Sequence, residues 1–178
     1  MEKLILVNEK DGAIGLEEKV KCHQGKGILH RGFAILLFDD QGQVLIQKRA
    51  ASKMLWPLYW ETTCASHPRE NESYEDAGIR RLKEELGINI PLKLVDKFMY
   101  YSFYKDVGAE HELCAILAGQ YNEKEISFND NEVADLKWIS IDDLKKELSK
   151  NPQDYAPWLE IAFKRLLNQH GNKLETLF

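Results

Sequence analysis

The stretch Thr62-Thr63-Cys64-Ala65-Ser66-His67-Pro68, with the charged segment that follows it, constrains this chain more than any other part. Ser73 is placed as a helix N-cap, with Asp76 three positions on completing a variant capping box, and Gly87 is the expected stop. Between them the residues follow a fixed pattern from Glu72: E-x7-R-x-U-x-E-E-x-G-U, with U aliphatic, ending Glu84-Glu85-Leu86-Gly87-Ile88. On a helix Arg81 and Glu85 share one face and Arg80 and Glu84 form the neighbouring pair. As exposed ion pairs they would contribute little to stability. The same arrangement suits a diphosphate if Glu85 holds a hard cation bridging phosphate oxygens and Arg81 contacts the phosphates directly.

The rest of the chain fits one domain spanning residues 1–178, long enough for a substantial core. Leu4 to Val7 reads as a first strand before an Asp11-Gly12 turn. Gly32 to Phe38 and Gln43 to Lys48 read as strands joined by Asp39-Asp40-Gln41-Gly42. Ala50 to Tyr59 is a loop, and Trp60 to Cys64 a short strand entering the helix. Leu92 to Tyr104, Glu112 to Gly119 and Ala134 to Ile139 complete the strands. Ile141 to Leu148 and a segment opening at Pro157-Trp158, with Leu159, Ile161, Ala162, Leu166 and Leu167 as its apolar stripe, are helices. Mixed strands with few, widely spaced helices predict an α+β fold. The net charge of −5 argues against nucleic acid as a partner. The run Leu4-Ile5-Leu6-Val7 is too short for a signal peptide or a membrane span. Three cysteines, Cys22, Cys64 and Cys114, form no disulfide framework, so a reduced, cytoplasmic protein is expected.

His23 and His30 stand six residues apart, His67 lies in the opening stretch, and Glu110 and Glu112 flank His111. On a strand both carboxylates point to one face and His111 to the other. Each feature alone is ordinary. Together they offer three imidazoles and two carboxylates, a set suited to a divalent transition metal or to magnesium or manganese. Lys19, Lys26, Lys48, Arg49 and Lys53 are candidate anion contacts.

From Glu72 to Ile88 the chain resembles a Nudix box, the diphosphate-metal signature, with two departures: Ser66 where the box opens on Gly, and Arg81 where Glu follows the Arg. The order Lys19, His23-x6-His30, Arg49-x3-Lys53, Trp56-Pro57, Ser66-His67-Pro68, Arg80-Arg81, Glu110-x-Glu112 and Pro157-Trp158 resembles type 1 isopentenyl-diphosphate isomerase, a branch of the Nudix fold that also carries Arg at the position of Arg81. The resemblance implies a mixed β-sheet sandwiched by helices and a cytoplasmic enzyme of isoprenoid biosynthesis, monomeric or homodimeric. It would move the double bond between isopentenyl and dimethylallyl diphosphate by protonation and deprotonation. By the same resemblance His23, His30, His67, Glu110 and Glu112 hold a divalent metal, magnesium with manganese or zinc as alternatives. Glu85 carries a second cation on the diphosphate, and Lys19, Arg49, Lys53 and Arg81 bind that diphosphate. Glu112 handles protonation, Tyr100 assists it, Trp158 holds its ring over the cation, and a cysteine on the opposite face is the partner acid/base.

That cysteine stands two residues before the His-Pro pair in the family, where this chain has Ala65. Cys64, one residue earlier, is the candidate substitute, but in an extended segment neighbouring side chains point to opposite faces. Three readings stay open: a disabled acid/base, a bulge that re-aims Cys64, or an isomerase-like pocket serving hydrolysis or binding of another diphosphate. A Nudix hydrolase of an organic or nucleoside diphosphate and a non-catalytic binding module are therefore the alternatives.

Overall fold

The buried residues of one strand set the layering of the whole molecule. In the computed structural model, which describes residues 2–170, β3 (His30–Phe38) is buried along almost its whole length. Period-2 alternation sends Ala34, Leu36 and Phe38 into one core layer and Phe33, Ile35 and Leu37 into the other. A strand with two apolar faces needs cover on both. Helix α2 (Tyr74–Leu86) covers the second face with Ala77, Leu82 and Leu86; α3 (Ile141–Lys150) and α4 (Pro157–His170) cover the first with Leu144, Leu148, Leu159, Phe163 and Leu166. Each fully buried leucine or phenylalanine contributes about 1.5–3 kcal/mol. The expected mixed sheet between helices is thus the observed α+β architecture.

Among the described residues the sheet has nine strands. β1 (Lys3–Val7) and β2 (Ala13–Glu18) form an antiparallel hairpin, and β1 leads into β3. β4 (Gln43–Arg49) pairs with β3 only at Leu37↔Leu45 and Phe38↔Val44 and then diverges from it. Beyond that point β6 (Cys64–Ser66) pairs with β3 and β5 (Trp60–Glu61) with β4, while β9 (Val133–Ser140) pairs with the other edge of β4 along its whole length. Thr63 closes the fork: its hydroxyl donates to the Leu45 carbonyl at 2.6 Å and accepts from the Leu37 amide at 2.9 Å. β8 (Gly108–Gln120) runs parallel to β3 and antiparallel to β7 (Lys93–Tyr104).

The central helix begins and ends where its sequence requires. The Ser73 hydroxyl accepts from the Asp76 amide at 3.0 Å and donates to the Asp76 carboxylate at 2.7 Å. Gly87 closes the helix in the left-handed region at φ 68°. The 50–59 loop is also as expected, with Trp56 and Leu58 at positive φ. Three local expectations need correction. The Trp60–Cys64 strand is two short strands broken at the Thr62-Thr63 fork. β8 starts at Gly108, so Glu110 lies inside it. β2 and the five-residue helix α1 (Lys19–His23) were not anticipated, because β2 is largely exposed and α1 has no side-chain cap.

Candidate active site

Strand register builds the centre of the site. His30 on β3 is the cross-strand partner of Glu112 on β8, which is in turn the partner of Tyr100 on β7. The three side chains therefore form one row across the sheet on the same face. Period 2 adds Glu110 to that face, while His111 stacks against Tyr101 on the other. Gly32, next to Glu112 on β3, leaves the carboxylate its space, since a Cβ there would overlap it. α1 delivers His23; it lies against β8 at Gly108, where a Cβ would collide with the His23 carbonyl. His67 enters directly after β6.

The outcome is five buried side chains, His23, His30, His67, Glu110 and Glu112, whose ligand atoms lie within 4.8 Å of one another. The imidazole centroids form a near-equilateral triangle with sides of 4.8, 5.3 and 5.0 Å. His67 Nε2 is 3.0 Å and His30 Nε2 3.6 Å from Glu112 Oε1, and His23 Nε2 is 3.1 Å from Glu110 Oε2. His23 and His30 direct Nδ1 at the carbonyls of Lys19 and Ile28, each at 2.7 Å, which fixes the tautomer and presents Nε2 to the centre. His30 Nε2, His67 Nδ1 and Glu110 Oε2 are buried without an aligned hydrogen bond. Buried polar atoms are nearly always satisfied, so these donors fit a bound cation. Burial first, then the neighbouring His30 and Lys19, holds His67 well below the usual histidine range, so its imidazole stays neutral.

The cluster forms one wall of a cavity of about 110 Å³. Tyr100 donates its hydroxyl to Glu112 Oε2 at 3.0 Å. Burial, and then the Glu112 charge, push that phenol up, so it stays a proton donor. Trp158, Leu55, Phe33 and Cys114 are apolar parts of its lining, and Lys19, Lys53, Arg49 and Arg81 line it with positive charge. All four basic residues singled out for the diphosphate are therefore present, whereas Lys26 and Lys48 stand elsewhere. Each is already engaged. Lys19 pairs with Glu2 at 3.0 Å, Lys53 with Glu132, and Arg81 with Glu84 at 2.7 Å, Glu132 at 3.2 Å and Glu85. Glu85 does not line the cavity; it is buried behind Arg81 and accepts from Gln47 at 3.2 Å.

The structure does not bring Cys64, the candidate substitute acid/base, to the cavity. β6 pairs with β3 in unbroken register, Ile35↔Cys64, Ala34↔Ala65 and Phe33↔Ser66, so no bulge re-aims it. Cys64 is 0% exposed in the core layer beneath α2, and Ala65 faces the cavity. Burial, and then the charge of Glu85, raise the Cys64 thiol well above the normal range. Sequence reasoning missed two other residues. Cys114 lines the cavity and shares the face of Glu110 and Glu112. The signal was there in the alternation of the three positions. Glu61, completely buried and bonded to Trp158, Arg49 and Gln47, carried no sequence signal.

Comparison with known proteins places the fold and chemistry in context. The family model for the NUDIX domain matches residues 28–160. The chain is 38% identical to isopentenyl-diphosphate Delta-isomerase 1 of Photorhabdus laumondii, over 98% of this chain and 99% of that protein. It is 40% identical to the isopentenyl-diphosphate Delta-isomerase of Aliivibrio fischeri strain MJ11, over 93% of this chain and 95% of that one. Among solved structures, DR0079 from Deinococcus radiodurans superimposes with a TM-score of 0.73 at 20% identity, covering 92% and 98% of the two chains, a likeness of fold. No helix among the described residues is long and apolar enough to cross a membrane.

Proposed function

The chain belongs to the NUDIX family and, within it, to the isopentenyl-diphosphate Delta-isomerases; on that premise we propose that Glu112 and Tyr100 move the proton at its site, with Ala65 taking no part. The reaction shifts a double bond of a five-carbon diphosphate from C3–C4 to C2–C3. One observation carries the assignment: a buried carboxylate, bonded to a protonated phenol, lines the same cavity as the Trp158 ring. That arrangement suits proton transfer at carbon. The helix supports the isomerase over a hydrolase as well, since it presents Arg81 where the hydrolase pattern needs a further carboxylate.

Lys19, Lys53 and Arg81 attract the diphosphate by charge, with Arg81 best shaped for paired contacts; Arg49 lines the same cavity, but its charge is matched by Glu61. The hydrocarbon end then lies between Glu112 and the Trp158 ring. A proton from the Glu112–Tyr100 pair adds to C4 and leaves positive charge at C3. The indole face of Trp158 stabilises that charge. Loss of a proton from C2 completes the shift. At Ala65 the cavity wall offers no acceptor, so the Glu112 carboxylate, freed by its first transfer, is the base at hand. His23, His30, His67, Glu110 and Glu112 would hold a divalent ion, magnesium with manganese or zinc as alternatives, which supplies positive charge that tunes the acidity of Glu112. Glu85 would hold a second cation on the diphosphate only if Arg81, which covers it, turned toward the phosphates. All these groups come from one chain, so a monomer suffices, and the free, buried thiols of Cys22, Cys64 and Cys114 support a reducing, cytoplasmic setting.

Incubating the pure protein with isopentenyl diphosphate and magnesium, then analysing products by NMR, tests this reading. Dimethylallyl diphosphate is expected, and Glu112→Gln should abolish it. Released pyrophosphate without isomer would point to a hydrolase instead.

A further inference from the structure

Behind the Trp158 wall lies a buried carboxylate with no contact to the cavity. Glu61 faces Gln47 across the β4–β5 ladder and is 0% exposed. Its Oε1 accepts from Arg49 Nη1 at 2.7 Å and from Gln47 Nε2 at 3.1 Å, and its Oε2 accepts from Trp158 Nε1 at 2.9 Å. Arg49 in turn donates to the Leu55 and Trp56 carbonyls at 3.0–3.2 Å. Its guanidinium carbon lies 5.1 Å from the centre of the Trp158 ring. The Trp56 ring meets Trp158 edge-on at 5.3 Å and 85°.

Two physical effects meet at this indole. A charge-assisted bond along its edge fixes the ring plane and places negative charge beside the N–H, which enriches the ring face in electron density. The cation of Arg49, close to the same ring, works in the other direction and competes with any positive charge in the cavity. Only an anion at position 61 both accepts from the indole and neutralises Arg49. A glutamine there has one acceptor oxygen and must turn its amide N–H groups toward a second donor.

We infer that Glu61 is a positioning residue of the isomerisation, holding the Trp158 indole as the cation-stabilising wall and cancelling the competing charge of Arg49. The inference rests on the reading of Trp158 given above. It deepens that reading by assigning the electrostatics of the wall to a group outside the cavity.

The test is a double-mutant cycle on the full chain with isopentenyl diphosphate and magnesium, comparing wild type, Glu61→Gln, Trp158→Phe and the double variant. Each single change is expected to lower kcat about 10- to 100-fold with KM changed less than about threefold, since a desolvated cation–π contact is worth roughly that factor. The double variant should be no slower than the worse single one by more than about threefold, because both remove the same interaction. Wild-type kcat in Glu61→Gln, or losses that multiply, overturns the role of Glu61 and leaves that of Trp158 standing. Wild-type kcat in Trp158→Phe overturns both. If Glu61→Gln does not fold, replacing the Trp158 indole by its benzothiophene analogue deletes only the N–H. A fall in kcat then supports the inference and an unchanged kcat overturns it.

Discussion

Installing a thiol at position 65 tests the geometry of β6 directly. Ala65 faces the cavity and Cys64 lies across the sheet beneath α2, so Ala65→Cys puts sulfur on the cavity wall without disturbing the core. The wild-type wall has no acid or base there, and a positioned general acid/base contributes ~10²–10⁴-fold. The variant should therefore turn over isopentenyl diphosphate faster by up to that factor, equivalent to about 3–5 kcal/mol of barrier. The reverse substitution has a different signature. Cys64→Ala removes one buried sulfur, about 1 kcal/mol by analogy with a methylene, which lowers Tm by roughly 2–4 °C for a chain of this size. It should leave kcat within about threefold, there being no transition-state contact to lose. Initial rates by NMR, with Tm from circular dichroism for each variant, separate the two effects. A folded Ala65→Cys protein at the wild-type rate, or a folded Cys64→Ala protein without activity, would refute the argument.

Gly32→Ala would drive a Cβ into the Glu112 carboxylate; both bound metal and isomerisation should fall by more than tenfold, read by elemental analysis and by rate, and retention of both would show that Glu112 has slack. His67→Ala should lower the metal content of the purified protein and abolish the metal-dependent rise in Tm, a rise that saturating metal at a hundred times Kd makes worth about 2.7 kcal/mol; unchanged content would count against the five-residue centre. Asp11 joins the β1–β2 turn to Arg31 and Lys97, each at 2.6 Å. Burial alone would raise its carboxyl, but the bonds from Lys97 and Arg31 outweigh it and hold the group below its ordinary value. A lowered folded-state pKa contributes stability above the unfolded value near 4, lost as pH falls through the folded value. Asp11→Asn, which tolerates the positive φ of 63°, should lower Tm at pH 7 by an amount worth about 1 kcal/mol or less, and the gap to wild type should close below about pH 4; a gap independent of pH would place the effect elsewhere.

The sequence was informative wherever a rule is local. The Ser73 cap, the Gly87 stop and the alternation that turns His111 away from Glu110 and Glu112 all depend on neighbours a few residues off. The same alternation set Cys64 and Ala65 on opposite faces unless a bulge intervened, and the unbroken β6 register removes that alternative. The convergence of His23, His30 and His67 was legible only through the order of residues shared with a family, because spacing carries no distance across a sheet. α1 was invisible for a physical reason: five residues are too few to form a helix unaided, and it exists because tertiary contacts hold it. Glu61 was hidden more deeply. Its partners Gln47, Arg49 and Trp158 lie 14, 12 and 97 residues away, and a lone glutamate after Trp60 has the pattern of any sheet edge.

Two of the buried carboxylate systems near this cavity, Glu61 and the Glu110–Glu112 pair, differ in a way that bears on their roles. Around Glu61 both oxygens are matched to donors: Arg49 supplies the countercharge, and Gln47 and Trp158 fill the remaining acceptor positions. A carboxylate in that state is inert toward a cation, since binding one would break charge-assisted bonds already made in a dry site. Around Glu110 and Glu112 the partners are the Tyr100 hydroxyl and the three imidazoles, and three polar atoms lack an aligned hydrogen bond. Such a cluster is costly to bury alone and gains most from a cation, so its folding stability should track metal concentration. The Glu61 network should be indifferent to metal and serve as the rigid frame. Trp158 stands between them, bonded to the satisfied system and facing the needy one. That places the rigid wall opposite the titratable one, which is the arrangement a cation formed in between requires.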